Sequence, residues 1–371
     1  MNGLHGIIFS YEKEPGLREL IEHRMPASIP FGGRYRIIDF MLSNMQNAGI
    51  TDVGIVLHGN YQSLLDHVGN GKTWDMSRKY GGLRILPPFA DNRKYRGGDE
   101  FEGKMQALAN VRTYLEQIRQ DYVVVTDSDL IVNIDLAEVY EQHVASGADV
   151  TCVCTPDYKQ TSDATFFLLG ADNKVEKTLI NPKKPEGYHC LEIYVLSKEL
   201  LLRLVDECEA EEKVSFRSDV LNGMADRLDI RAYVFRGLAA QIRSVKEYYD
   251  RSMDMLQPRV YRELSTAKRP IRAKEDDETP TYIAPESHCT NSLIADGCDI
   301  AGTVENCIVF PGVTVAKGAT VRNSVLFKGV TVEEGASVSY VIADKGVTIR
   351  RGGKLVGHES YPMAISKGTV I

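Results

Sequence analysis

The sequence lacks several things that would have narrowed its role at once. None of its 371 residues lies in a run approaching about eighteen consecutive apolar residues, and no basic segment followed by a long apolar one opens it, so neither a membrane span nor a signal peptide is expected. It lacks a basic block as well: 44 Lys and Arg stand against 51 Asp and Glu, a net charge of −7 that would repel nucleic acid or anionic lipid. Its seven cysteines are scattered, with neither a metal spacing nor a regular disulfide framework, and a reducing cytoplasm fits them best. Cys152 and Cys154 share one face of an expected strand and read as core. The fourth absence is local. After the apolar run Leu4-His5-Gly6-Ile7-Ile8, where an α/β domain usually holds phosphate, the chain reads Phe9-Ser10-Tyr11-Glu12-Lys13-Glu14-Pro15-Gly16, an acidic turn with a single glycine.

What is present is enough for two domains: 43% hydrophobic residues in a chain of this length supply a core for each. Up to about residue 250, short β-rich runs alternate with helical ones, which predicts a mostly parallel sheet flanked by helices. The expected strands are Gly6–Phe9, Val53–Leu57, Tyr122–Thr126, Val150–Cys154, Phe166–Leu169, Ile193–Leu196 and Ile230–Phe235. Gln106–Ile118, Leu136–Val144 and Lys198–Val205 read as amphipathic helices. Ligands of such sheets lie at the carboxyl ends of the strands, which directs attention to the turns after Phe9 and Thr126.

A charged, proline-containing stretch, Lys268–Pro285, leads to a different period. Gly312, Gly329 and Gly346 are 17 residues apart, as are Gly318, Gly335 and Gly352, and apolar residues recur in phase as Ile308-Val309, Val313, Val315 and their successors. About three hexapeptides per coil write a left-handed parallel β-helix, with glycines at the corners. The expected division is a domain over 1–250, a helix and linker over 251–284, and the β-helix over 285–371. Such a β-helix serves either as an acyltransferase core, with His288 or His358 as base, or as an oligomerisation and regulatory platform.

The densest motif is Phe31-Gly32-Gly33-Arg34-Tyr35-Arg36-Ile37-Ile38-Asp39-Phe40, followed by Met41-Leu42-Ser43-Asn44 and Asn47-Ala48-Gly49-Ile50. It resembles the bacterial glucose-1-phosphate adenylyltransferase family, whose pattern is FGG-x-x-RIIDF-x-LSN-x-x-N-[SA]-GI. The resemblance continues through Tyr61-Gln62-Ser63-Leu64, Val123–Asp135, Pro270-Ile271-Arg272 and Asn291–Cys298. It implies a nucleotidyltransferase fold of GT-A or Rossmann-like type followed by a left-handed β-helix. It also implies transfer of AMP from ATP to glucose 1-phosphate, with release of pyrophosphate, in glycogen synthesis. That chemistry brings like-charged phosphates together and needs Mg²⁺, carboxylates, cations and backbone N–H donors.

The family's catalytic elements do not match as well as its scaffold. Its Gly-Gly-x-Gly-Thr-Arg-Leu loop corresponds to residues 11–17, with Gly16 in place of the arginine and Glu12 and Glu14 facing a triphosphate. Like unit charges about 4 Å apart cost on the order of 4 kcal/mol at a surface-like dielectric. Its metal-binding aspartates correspond to Asp129, beside Asp127, and to the neutral Gln241. The lysine that binds the sugar phosphate corresponds to Asn181, and a Gly-Thr-Ala element serving the nucleotide to Gly103-Lys104-Met105.

The resemblance therefore points to the non-catalytic regulatory subunit that some Gram-positive bacteria make beside a catalytic one. It would join a hetero-oligomer, expected to be a heterotetramer, or a homo-oligomer when alone. No cofactor is expected for this chain, the Mg²⁺ belonging to its catalytic partner. Effectors of the family are sugar phosphates bound between the domains; a lysine used by some members corresponds to Pro26, leaving Arg24, Arg36 and Arg272 as candidate anion contacts. Two other readings are a weak adenylyltransferase, using Asp129 as metal ligand with Lys13 or Lys104 as compensating cation, and a stand-alone sugar-phosphate sensor.

Overall fold

The computed structural model of the chain describes residues 3–10, 14–87, 101–157, 163–275 and 277–371. Its first domain is organised by β1 (Leu4–Ser10), a strand buried at every residue. Burial on both faces suits an unbroken apolar run in a parallel sheet. β1 lies between two parallel neighbours, β2 (Val53–Leu57) and β4 (Tyr122–Asp127), and β3 (Leu83–Leu86) extends the parallel part beyond β2. The remaining strands are β5 (Val150–Thr155), β6 (Thr165–Leu169), β7 (Val175–Ile180), β8 (Tyr188–Ser197) and β9 (Ile230–Val234). β8 pairs antiparallel with β4, β5 and β6, while β9 returns parallel to β5. The single long strand reaches so many neighbours because its register with β5 slips between Cys190 and Ile193, with Glu192 at φ 55° in the bulge. Cys152 and Cys154 are fully buried in this sheet.

Sequence periodicity located most of these elements. It left out β3, β7 and the first half of β8, and it ran together two helices, Lys104–Asn110 and Arg112–Gln117, which are separated at Val111.

The second domain is a parallel β-helix with three faces, each a five-stranded sheet. Gly312, Gly318, Gly329, Gly335, Gly346 and Gly352 all have φ between 66° and 73°, so each repeat glycine turns a corner that a Cβ would strain. A third corner carries no glycine: Asn291, Asn306, Asn323 and Tyr340 take left-handed φ there, and Asn291 Nδ2 donates to Asn306 Oδ1 at 2.7 Å. Asparagine tolerates that conformation best among residues with a side chain. His288 and His358 are exposed, His288 reaching Glu305 at 4.0 Å and His358 bonding to Ser360.

The two domains share one hydrophobic cluster, in which Leu17, Phe31 and Phe40 meet Ile308, Phe310 and Phe327 around Tyr248. The helix Val245–Asp254 supplies Tyr248 and runs through position 250. Tyr248 donates to the carbonyl of Pro30, and Tyr249 to that of Asn323, each within 2.8 Å. The letters of the family motif serve this joint. Gly32 and Gly33 turn with φ of 59° and 82°. Asp39 and Arg36 cap the helix Ile37–Asn47, which Asn44 ties to Val132 and Ile134. Ser43 receives the N–H of Arg272 at 2.9 Å, and Asn47 donates to the carbonyl of Pro270. The motif thus clamps the linker to the sheet and contributes to assembly of the fold.

Candidate functional site

At the carboxyl end of the sheet, β1 ends at Ser10 and β4 at Asp127, with the Ser128 N–H bonded to the carbonyl of Phe9 at 3.0 Å. A site for a triphosphate would open here. The described residues Phe9, Ser10, Glu14, Pro26, Asp127, Ser128 and Asp129 line a small pocket here of about 10 Å³, at the lower limit for one water. Glu12 and Lys13 lie outside the described residues.

Two internal cations neutralise the carboxylates. Lys104, 5% exposed, donates from Nζ to Asp127 Oδ2 at 2.8 Å and to Glu192 Oε2 at 2.6 Å. Glu192 also accepts from the Tyr194 hydroxyl. Burial alone would raise the Glu192 carboxyl, but Lys104 and the more distant Arg217 and Arg243 outweigh it and hold the group well below its ordinary range. The second cation is Arg243. Its side chain is 2% exposed, and Nε stands 3.5 Å from Asp129 Oδ2 and 3.6 Å from Glu14 Oε1. Nη1 lies 3.5 Å from Asp163 Oδ2 and donates to the Asp163 carbonyl.

The backbone of Arg243 is fixed by a reciprocal cap: its N–H donates to Glu247 Oε2 at 3.0 Å while the Glu247 N–H donates to Ser244 Oγ at 3.1 Å, at the start of the helix Val245–Asp254. Of the four positions singled out in the sequence, Asp129 and Gly16 adjoin this residue, Gln241 precedes it by two positions, and Asn181 reaches it only through Asp163. Asp129 pairs with its guanidinium. Gln241, in the strand Ala239–Gln241, lies opposite Leu130, and the next residue, Ile242, donates its N–H to the Asp129 carbonyl. Exposed Asn181 donates to Asp163 Oδ1 at 3.0 Å, so it joins Arg243 through that carboxylate. Burial pushes the Asp163 carboxyl up, and Arg217, Asn181 and Arg243 together more than offset it, lowering it overall. Gly16 packs so closely that a Cβ there would stand 2.5 Å from the Arg243 carbonyl oxygen. Arg243 carries no signal in the sequence, where an arginine following a strand reads as a surface residue until the tertiary contacts bury it.

These residues do not fit a catalytic Mg²⁺. Such an ion needs oxygens at about 2.0–2.1 Å in octahedral array, whereas the Asp129 carboxylate faces a guanidinium and the second position is an amide. Among the described residues no three His, Cys, Asp or Glu side chains form a metal-holding group.

A second, open cavity of about 540 Å³ lies between the domains, from Arg34, Arg36 and His67 to Lys274, Lys328 and Lys345. Five cationic side chains line it against Glu275, Glu278 and Asp296. Burial, with Arg36 and Arg24 adding to it, lowers Lys345 to about 8. Lys328 pairs with Glu278 at 2.8 Å, and Arg36 donates to Ser63 through its carbonyl and hydroxyl oxygens. Of the three arginines expected at an anion site, Arg36 lines this cleft. Arg24 is buried behind it and paired with Asp344 at 2.8 Å, and Arg272 bonds to Gln46 on the surface of the joint. Pro26 lines the small pocket at the end of β1. Lys274, Lys328 and Lys345 carried no signal in the sequence, since they come from the linker and two separate coils.

Comparison with known proteins agrees with both halves of the fold. Residues 16–257 match the nucleotidyl transferase family, and residues 281–361 match the GlmU-like C-terminal hexapeptide family, in keeping with a left-handed β-helix. The chain is 35% identical over 317 residues to the "Glycogen biosynthesis protein GlgD" of Bacillus subtilis, covering 85% of this chain and 82% of that one. It is 32% identical over 310 residues to the glucose-1-phosphate adenylyltransferase of Geobacillus stearothermophilus, covering 82% and 79%. The corresponding enzyme of Clostridium acetobutylicum is 30% identical over 295 residues, covering 78% and 77%. No helix among the described residues is long and apolar enough to cross a membrane. The chain belongs to the glucose-1-phosphate adenylyltransferase family of nucleotidyl transferases, in which it is similar to the glycogen biosynthesis protein GlgD.

Proposed function

We propose that this chain is a regulatory, catalytically impaired subunit of glucose-1-phosphate adenylyltransferase, acting in cytoplasmic glycogen synthesis through a catalytic partner in a heterotetramer. The observation that carries the reading is that the acids at the phosphate end of the sheet already face cations of the chain, Asp127 meeting Lys104 and Asp129 meeting Arg243. Transfer of a nucleotidyl group needs cations aimed at the incoming phosphates. Here the two buried cations are bound to the protein's own acids. Lys104, the compensating cation of a weakly active enzyme, is thereby engaged with Asp127 and Glu192.

A subunit without chemistry acts by binding one state of its partner better than another, and shifts activity only by that difference. The joint between the domains suits such a role, because the cleft beside it carries Arg36, Lys274, Lys328 and Lys345 and would take a sugar-phosphate effector. An effector there would bridge the sheet domain and the β-helix.

The test is pyrophosphate release by the purified chain with ATP, glucose 1-phosphate and Mg²⁺, together with co-purification with the catalytic subunit. The expected outcome is no turnover alone and a stable hetero-oligomer. Robust turnover by the chain alone overturns the reading, and failure to associate favours the stand-alone sensor.

A further inference from the structure

We propose that the Arg243 guanidinium is a resident counter-ion, standing in for the divalent cation at Asp129, so that the carboxylates there bind no Mg²⁺ while Arg243 is present. The inference stands on the geometry of this site and does not depend on whether the chain regulates a partner.

Three observations carry it. The guanidinium is almost fully buried, and its contacts come from three separate segments: Glu14 after β1, Asp129 after β4 and Asp163 before β6. A metal ion in a nucleotidyl transferase site would join segments in the same way, but through oxygens much closer to it. Next, the backbone of this residue is closely held. Glu247 and Ser244 fix its backbone, and Gly16 leaves the space into which any larger residue would drive a Cβ at 2.5 Å from the Arg243 carbonyl oxygen. Finally, the acids here already face cations of the chain. Neutral Gln241 stands beside Asp129 in place of a second carboxylate, and Asp163 is shared with Arg217 and accepts from Asn181. A divalent ion entering next to Arg243 would meet a fixed like charge. The three segments are therefore held together by a bond within the chain, whatever nucleotide or cation is in solution.

The experiment uses the full chain and Mn²⁺ as the probe, read by the electron paramagnetic resonance of free Mn²⁺ and by thermal melting. The wild type is expected to show no Mn²⁺ bound in a manner that Asp129→Asn removes, and no Mn²⁺-dependent change in Tm. Arg243→Met is expected to melt lower in chelator and to regain at least about 2 °C on addition of Mn²⁺, as binding to the folded state requires. Adding Asp129→Asn to that variant abolishes the gain. Stoichiometric Mn²⁺ on the wild type that Asp129→Asn removes overturns the proposal, and so does a folded Arg243→Met that ignores Mn²⁺. If circular dichroism shows Arg243→Met unfolded, Arg243→Lys decides: it keeps the charge and is expected to remain insensitive to Mn²⁺, and a Mn²⁺ response from it overturns the proposal.

Discussion

Two cavities on the same chain carry opposite charge balances. At the carboxyl end of β1, the described acids Asp127, Asp129, Glu14 and Glu192 surround two buried cations, beside a pocket of about 10 Å³. Between the domains, cations outnumber acids around about 540 Å³. A buried charge is costly unless paired. In the first cavity both cations already face acids of the protein, so an incoming polyanion would have to compete with Asp127 and Glu192 for Lys104. In the second, burial first and then Arg36 and Arg24 hold Lys345 down to about 8, so an anion would offset the like charges beside it.

The comparison can be broken from either side. The largest effect is expected from Lys104→Met, which leaves Asp127 and Glu192 buried beside an apolar side chain. Removing one partner of a buried ion pair costs about 3–5 kcal/mol, and urea unfolding should show a loss of that size. Adding Asp127→Asn and Glu192→Gln should return most of it, because the uncompensated charges are then gone. Gly16→Arg, which restores the family's arginine, is next. Its Cβ meets the Arg243 carbonyl, and overpacking of this kind costs roughly 1–3 kcal/mol. Combined with Gln241→Asp it should still give no pyrophosphate release, since Asn181 and Arg243 remain.

On the open side, Lys345→Met should weaken binding of a sugar phosphate or inorganic phosphate by about tenfold, equivalent to ~1.4 kcal/mol, measured by calorimetry. The smallest effect is one of pH. Burial, Arg36 and Arg24 lower Lys345 to about 8 while Asp344 opposes them, so the ammonium is charged below that pH and neutral above it. Anion affinity should therefore fall several-fold between about pH 7 and 9, and the fall attributable to this residue should vanish in Lys345→Met.

The β-helix was legible because its period is written in residues that the geometry demands: glycine at six corners with positive φ, and small apolar side chains pointing inward. Its third corner was not, since Asn291, Asn306, Asn323 and Tyr340 share no single letter. The family motif was legible as a motif, although its letters do not disclose that Ser43 and Asn47 grip Arg272 and Pro270 some 220 positions later. This separates scaffold from chemistry, and explains how the pattern stays while Gly16, Asn181 and Gln241 depart from it. The site itself was read as a set of losses. What fills it, Lys104 and Arg243, depends on contacts across the sheet, and no local pattern marks a lysine or arginine as buried. Glu192 was hidden for the same reason: only the slip between β8 and β5 turns it inward.

The central claim is that this chain has given up nucleotidyl transfer and acts on a partner that retains it. The most direct measurement is the initial rate of ADP-glucose formation by the catalytic subunit, titrated with this chain across candidate sugar phosphates, beside the chain alone. The account predicts no rate from the chain alone, and a change in the partner's rate or effector response that saturates at a fixed subunit ratio. A rate proportional to the amount of this chain, with or without the partner, would contradict it.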